Sequence, residues 1–185
     1  GQPLSRAQPP AHRRMTPELM PPRWDTLLII VLELGFVAAM LASAGLDIAA
    51  RRLPNWLNLA VAAAFLPWAW AMDFTWGLTA VHLIVGAVVL ALGFGLFAFG
   101  IIGGGDAKLA AAVAIWIGLS LELLRFFLLM SLAGGLLAVI ALVWQGLTHR
   151  TLQRALPYGV AIAIAGLDYW VRHGQALCLM ASCPS

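Results

Sequence analysis

Apolar residues run along this chain in six long blocks, separated by short polar interruptions. The blocks cover about 24–46, 56–72, 77–99, 107–121, 123–146 and 158–171. Blocks of this kind predict helices that cross a hydrocarbon layer, which takes about 20 helical residues. The interruptions have chemical causes. Arg51-Arg52-Leu53-Pro54-Asn55 follows the first block, and two cations and a proline mark an interface and a helix start. Asp73, Phe74 and Thr75 divide the second block from the third. Gly103-Gly104-Gly105-Asp106 precedes the fourth, where three consecutive glycines disfavour continuous helix. Glu122 and Arg125, at i,i+3 spacing, punctuate the fourth and fifth and predict a pair on one helix. His149, Arg150, Gln153, Arg154 and Pro157 separate the fifth from the sixth. The fourth block is short for a full span, which fits a tilted or partly re-entrant helix.

The predicted fold is all-α: a polytopic membrane protein of about six transmembrane helices over residues 24–173, with a polar tail at 1–23 and a short tail at 174–185. The first 24 residues, rich in Pro and Arg, do not read as a cleavable signal peptide, because the block after them is too long for a signal core. Composition agrees. The chain is 62% hydrophobic and 10% charged, with mean hydropathy +0.92, too few charges to clothe a soluble domain of 185 residues.

A net charge of +3 would suggest nucleic acid, but the cations stand elsewhere. Arg51, Arg52, Arg150 and Arg154 lie just outside apolar blocks, where lipid headgroups account for them, and no basic face with interleaved aromatics appears. Membrane lipids are expected partners and nucleic acid is not. Cys178 and Cys183 are too few for a four-ligand zinc site; a local disulfide and free thiols both remain open. No metal or cofactor is expected.

With all loops short, chemistry must occur in the membrane or at its edge. Asp47 ends the first block and Asp106 begins the fourth. Two crossings lie between them, and an even number returns the chain to the same face. A carboxylate at the edge of hydrocarbon is costly, up to about 2.5–3.5 kcal/mol at a helix centre, so two on one face point to a site. Asp106 follows the glycines at a helix start, where the dipole and Lys108 favour the anion. Asp47 sits at a helix end, where the dipole opposes ionisation and Arg51 counters it. A proton shared between them would split their titration. The expected roles are Asp106 as the base that activates water and Asp47 as the protonated partner that polarises a carbonyl. The glycines permit positive φ and close approach of an extended peptide.

Other residues read as structural. Glu33 lies fourteen residues before Asp47, about 20 Å along a helix, too far to join the pair; it is expected to be buried and hydrogen-bonded. His82 is expected to bond a neighbouring helix. Tryptophans such as Trp24, Trp56, Trp68, Trp70 and Trp76 fit an aromatic belt. Gly86, Gly93, Gly95, Gly134 and Gly135 fit close helix packing.

The motifs resemble a known family. Gly103-Gly104-Gly105-Asp106-Ala107-Lys108-Leu109 is similar to the G-x-G-D-x-K-L string of prepilin peptidases, membrane aspartic proteases of the G-x-G-D group. Asp47 through Arg51, Arg52, Pro54 and Asn55 resembles the family's first aspartate segment, and Pro157-Tyr158-Gly159 its C-terminal stretch. The resemblance implies removal of leader peptides from type IV prepilins and pseudopilins at the cytoplasmic face of the bacterial inner membrane. It makes Asp47 and Asp106 the catalytic pair. Gly103, Gly105, Lys108, Arg51, Arg52, Pro54, Asn55, Pro157, Tyr158 and Gly159 would support them. The likeness is greatest to the short CpaA/TadV-like branch serving Flp pili. Larger members carry paired C-x-x-C motifs and also methylate the new N-terminus; without those motifs, N-methyltransferase activity is not expected. The cations near the pair (Arg51, Arg52, Lys108, Arg150, Arg154) against Arg125 and Arg172 place it on the cytoplasmic side, although Arg6, Arg13, Arg14 and Arg23 stand on the other. Competing readings are another G-x-G-D intramembrane protease, and a small proton-coupled transporter or assembly subunit. The first normally carries Tyr-Asp and Pro-Ala-Leu motifs, which are missing here; carboxylates of the second usually sit near the midplane.

Overall fold

The polar interruptions become helix ends in the computed structural model, which describes residues 24–50, 53–148 and 158–174. Six helices follow one another: α1 (Trp24–Ala50), α2 (Asn55–Ala71), α3 (Trp76–Ala98), α4 (Gly104–Ile117), α5 (Leu121–Thr148) and α6 (Tyr158–His173). Their ends have local reasons. Thr75 caps α3 by accepting the Leu78 backbone N–H at 3.3 Å. Pro54, held near φ −69°, leads into α2 without needing to donate. Gly118 stops α4 at φ +69°, a conformation open to glycine, and the His82 ring fills the space where a side chain would stand.

The all-α membrane architecture therefore stands, and the structure sharpens the number of spans. Among the described residues, α1, α3 and α5 are long and apolar enough to cross a membrane. Helices α2, α4 and α6, with 17, 14 and 16 residues, fall short of the ~20 a full crossing takes. Packing explains how short helices persist. Nine of the fourteen residues of α4 are buried, so neighbours rather than lipid surround it. Helices α2, α3 and α6 pack on α4, while α1 bridges α2 and α6. Helix α5 leans mainly on α6 and turns Leu128, Leu132, Leu136, Val139 and Ile140 outward.

Close approach of α3 to α4 depends on small residues. A Cβ on Gly93 would lie 2.9 Å from the Ala107 Cβ and 3.3 Å from its Cα, and backbone cannot yield as a flexible side chain does. Gly93→Val should therefore lower stability by about 1–3 kcal/mol through overpacking. Gly95→Ala, on the same helix with nothing within 4 Å, should change it by less than about 0.5 kcal/mol. Denaturation of the two variants in detergent, side by side, measures the difference. Gly86 and Gly134 also face neighbouring helices closely, whereas Gly95 and Gly135 face open space.

Away from α4's first turn, an aromatic cluster forms the core. Phe36, Phe65, Trp68, Phe74 and Trp116 pack ring on ring, and His82 stacks on Phe65 at 5.2 Å. His82 Nδ1 donates to the Ile115 carbonyl at 2.7 Å, the bond between helices that its sequence setting implied. Trp116 Nε1 donates to Val61 O at 2.9 Å, and Tyr169 Oη donates to Trp116 O at 3.1 Å. Trp68 is thus core rather than belt, while Trp24, Trp56, Trp70 and Trp76 are exposed. The reason is Glu33: its buried carboxyl accepts Trp68 Nε1 at 3.1 Å, drawing the indole inward. Glu122 and Arg125, expected to pair along α5, both reach α6. Arg125 meets Asp168 at 3.4 Å, which also holds Arg172, and Glu122 lies 4.0 Å from His173.

Candidate active site

The C-terminal end of α1 and the first turns of α2, α4 and α6 converge at one end of the bundle, and they bring the two aspartates together. Asp47, in the last turns of α1, is 6% exposed. A carboxyl buried to that degree needs donors, and one comes from the start of α6: the Val160 backbone N–H reaches Asp47 Oδ2 at 3.3 Å. The first amides of a helix have no partners in their own helix and carry the positive end of its dipole. They therefore offset the unfavourable dipole of α1's own end. Gly159 makes the approach geometrically open. A Cβ there would lie 2.8 Å from Asp47 Oδ2 and 3.0 Å from Cγ.

Asp106 stands in the first turn of α4, at the edge of the bundle and outside the three spanning helices. Its position relative to Gly103 is that of a capping box, in which a side chain three residues into the helix accepts the backbone N–H of the cap residue. Gly103 adopts φ −73°, an ordinary extended conformation. It serves by close approach instead: a Cβ would lie 2.6 Å from Asp106 Oδ2. The positive φ expected of this loop occurs earlier, at Gly100 (φ +71°). Gly105 has a similar task, since a Cβ on it would meet Leu53 Cβ at 3.2 Å.

The acidity of Asp106 departs from the expectation drawn from its helix start. Burial first, and the Asp47 charge second, push its pKa up from 3.8 to about 6, while the Gly103 backbone hydrogen bond pulls it down. Lys108, expected beside the anion, donates its Nζ to Asn55 Oδ1 at 2.8 Å, tying α4 to α2. The sign matters for stability. A carboxyl whose pKa is raised by folding contributes most below its unfolded value of 3.8, and that contribution is lost as pH rises through about 6.

Pro54 precedes α2, and its carbonyl accepts the Leu57 N–H at 3.1 Å. Tyr158 packs against Gly134 of α5, where a Cβ would stand 3.2 Å from the ring. Arg51, Arg52, Pro157 and the cysteines at 178 and 183 lie outside the described residues. Sequence reasoning passed over Asn58, which is 4% exposed and donates Nδ2 to the Gly105 carbonyl at 3.2 Å. A carboxamide inside an apolar block, one turn after Asn55, was the available signal. It also passed over the Val160 amide, which leaves no trace in side-chain identity. Among the described residues no three His, Cys, Asp or Glu side chains gather as a ligand set. What this end of the bundle offers is a pair of carboxyls in charge contact, one deep and one at the water edge, equipped for proton transfer.

The model of the type IV leader peptidase family matches residues 34–139, which include both aspartates, the triple glycine and the Pro54-Asn55 turn. No curated protein and no solved structure matches the chain.

Proposed function

Since the chain belongs to the type IV leader peptidase family, we propose that Asp47 and Asp106 are the aspartic pair with which it cuts leader peptides from prepilins. The carrying observation is the meeting of two carboxyls from distant helices, where burial first and the Asp47 charge second raise Asp106 to about 6. At neutral pH Asp106 is then mostly ionised and close enough to its pKa to take a proton and return it. In the proposed cycle Asp106 removes a proton from water as the water oxygen attacks the scissile carbonyl carbon. Asp47, charged in the free protein, takes up a proton as bound substrate excludes water, on the oxygen that does not receive the Val160 amide, and donates a hydrogen bond to the carbonyl oxygen as negative charge develops. Collapse of the tetrahedral intermediate breaks the C–N bond, and Asp106 passes its proton to the leaving amine. The sequence given has no C-x-x-C pair, so the reading is confined to hydrolysis. Its substrates in this reading are Flp-type prepilins and pseudopilins.

The protein is a membrane peptidase. Lys108 lies at the carboxylate end, and the opposite end holds Arg125 and Arg172, both paired with Asp168. Together with the sequence positions of Arg51, Arg52, Arg150 and Arg154, this charge distribution supports a cytoplasm-facing site in a bacterial inner membrane.

Incubating the detergent-purified protein with a leader-bearing prepilin and reading the product by mass spectrometry tests the reading; an intact prepilin after long incubation would overturn it. The pH profile tests the base. With Asp106 needed ionised, kcat/KM should fall about tenfold per unit below its pKa, with the bend near pH 6 rather than near 4. A flat rate from pH 5 to pH 8 would remove Asp106 from that role.

A further inference from the structure

We propose that Asn58 is a positioning residue for Asp106, acting through the peptide bond that carries it. The proposal rests on the aspartic-peptidase reading above. The Gly105 carbonyl that receives Asn58 Nδ2 belongs to the peptide whose nitrogen is that of Asp106. Holding this oxygen fixes the plane of the peptide, and with it the direction in which the Asp106 Cα projects its carboxyl. Such a hold matters because Gly103, before α4, and Gly104 and Gly105, in its first turn, carry no side chains to stiffen that turn.

Two rungs join the first turn of α2 to the first turn of α4. Asn55 receives Lys108, and one turn further in Asn58 reaches Gly105. Residues three apart share a helix face, so the rungs lie side by side. The outer rung is exposed and competes with water; the inner one is not, since Asn58 is 4% exposed. Leu53 presses on Gly105 from the chain entering α2, at 3.2 Å from where its Cβ would be. Position 105 is thus closed to a side chain on the Leu53 side and hydrogen-bonded through its carbonyl to Asn58.

A further observation separates positioning from simple stabilisation. Among the described residues, Asn58 Oδ1 is buried and finds no hydrogen-bond donor. A carboxamide that satisfies its donor and orphans its acceptor is a poor choice for stability, and an apolar residue of similar size would suit the site better. What Asn58 provides that leucine does not is the hold on the Gly105 carbonyl.

Two variants test this against wild type. Asn58→Leu should lower kcat by about 10–100-fold and leave KM within about twofold, because substrate binding is unaffected while the base is misaimed. Its melting temperature should be no lower than wild type. Asn58→Asp supplies a donor to the Gly105 carbonyl only while the new carboxyl is protonated. Asp106 and Lys108 on the facing turns of α4, with Asp47 in charge contact with Asp106, are the charged groups about it, and the variant should acquire an alkaline limb to its pH–rate profile that wild type lacks. Wild-type kcat in Asn58→Leu overturns the proposal. So does a rise in KM with a fall in melting temperature, if Asn58→Asp then behaves alike at every pH. Failure of wild type to cut prepilin overturns the parent reading and this one together, and so is distinguishable from either.

Discussion

Asp47→Asn and Asp106→Asn should each abolish leader removal, with kcat lower by about 10³-fold or more. Asparagine keeps the size and shape of aspartate and removes the ability to accept or release a proton, so a fall of this size reports chemistry rather than packing. At position 106 it removes the base. At position 47 the Val160 amide loses a charged acceptor, and the side chain can no longer take up the proton with which Asp47 bonds the developing oxyanion in the substrate complex. Because the two work on one tetrahedral intermediate, the double variant should be about as inactive as either single one. Removing the Asp47 charge should also relieve one of the two causes that hold Asp106 near 6. Any residual activity of Asp47→Asn should therefore bend at a lower pH than wild type. Incubation of each purified variant with a prepilin, read by mass spectrometry, gives the rates, and size-exclusion elution shows that the fold persists. Full activity in either single variant would refute the pair.

Gly159→Val should be nearly as damaging, for a reason that involves no chemistry of its own. The first side-chain atom would lie 2.8–3.1 Å from three atoms of Asp47, so either α6 retreats or Asp47 turns away. Retreat lengthens the Val160 amide bond, leaving a buried carboxyl short of a donor. The expected result is a loss of about 100-fold or more in kcat, with about 1–3 kcal/mol of destabilisation from overpacking. Gly159→Ala should fall between it and wild type. A Gly159→Val protein with wild-type rates would show that α6 does not meet Asp47 as described.

Much of this was legible in the sequence because polar residues are scarce in it. In blocks that are otherwise apolar, Asp47, Asp106 and the triple glycine stand out, and counting blocks sufficed to place both carboxyls at one end. What stayed hidden lies across the bundle. Val160 is 113 residues from Asp47 and contributes a backbone group common to every residue but proline. Asn58 looked like its neighbour Asn55, and only packing separates the buried one from the exposed one. The acidity of Asp106 went against its helix-end setting because burial and a like charge are tertiary facts. The length of α4 was partly visible as a short fourth block, while α2 and α6, with 17 and 16 helical residues, are shorter than the three longest helices because helix ends depend on caps and packing as well as on hydropathy. Trp68 and Arg125 were assigned to an interface belt and a local pair; their partners, Glu33 and Asp168, are on other helices.

The shortness of α4 has a consequence at its other end. Fourteen helical residues rise about 21 Å, against the ~30 Å of a hydrocarbon core. With Asp106 at one end of the bundle, α4 reaches its other end with Trp116 and Ile117 buried among neighbouring helices, where water has little access to its last carbonyls. A chain end left there with bare oxygens would be untenable. The molecule supplies donors from the flanks: Gly118 N to Ala114 O at 2.9 Å, His82 to Ile115 O and Tyr169 to Trp116 O. Three consecutive carbonyls are thereby answered from α4's own end, from α3 and from α6. Two side chains with no part in hydrolysis, His82 and Tyr169, thus let a helix stop inside the protein, and a helix that can stop there is free to present its other end, with Asp106, at the edge of the bundle.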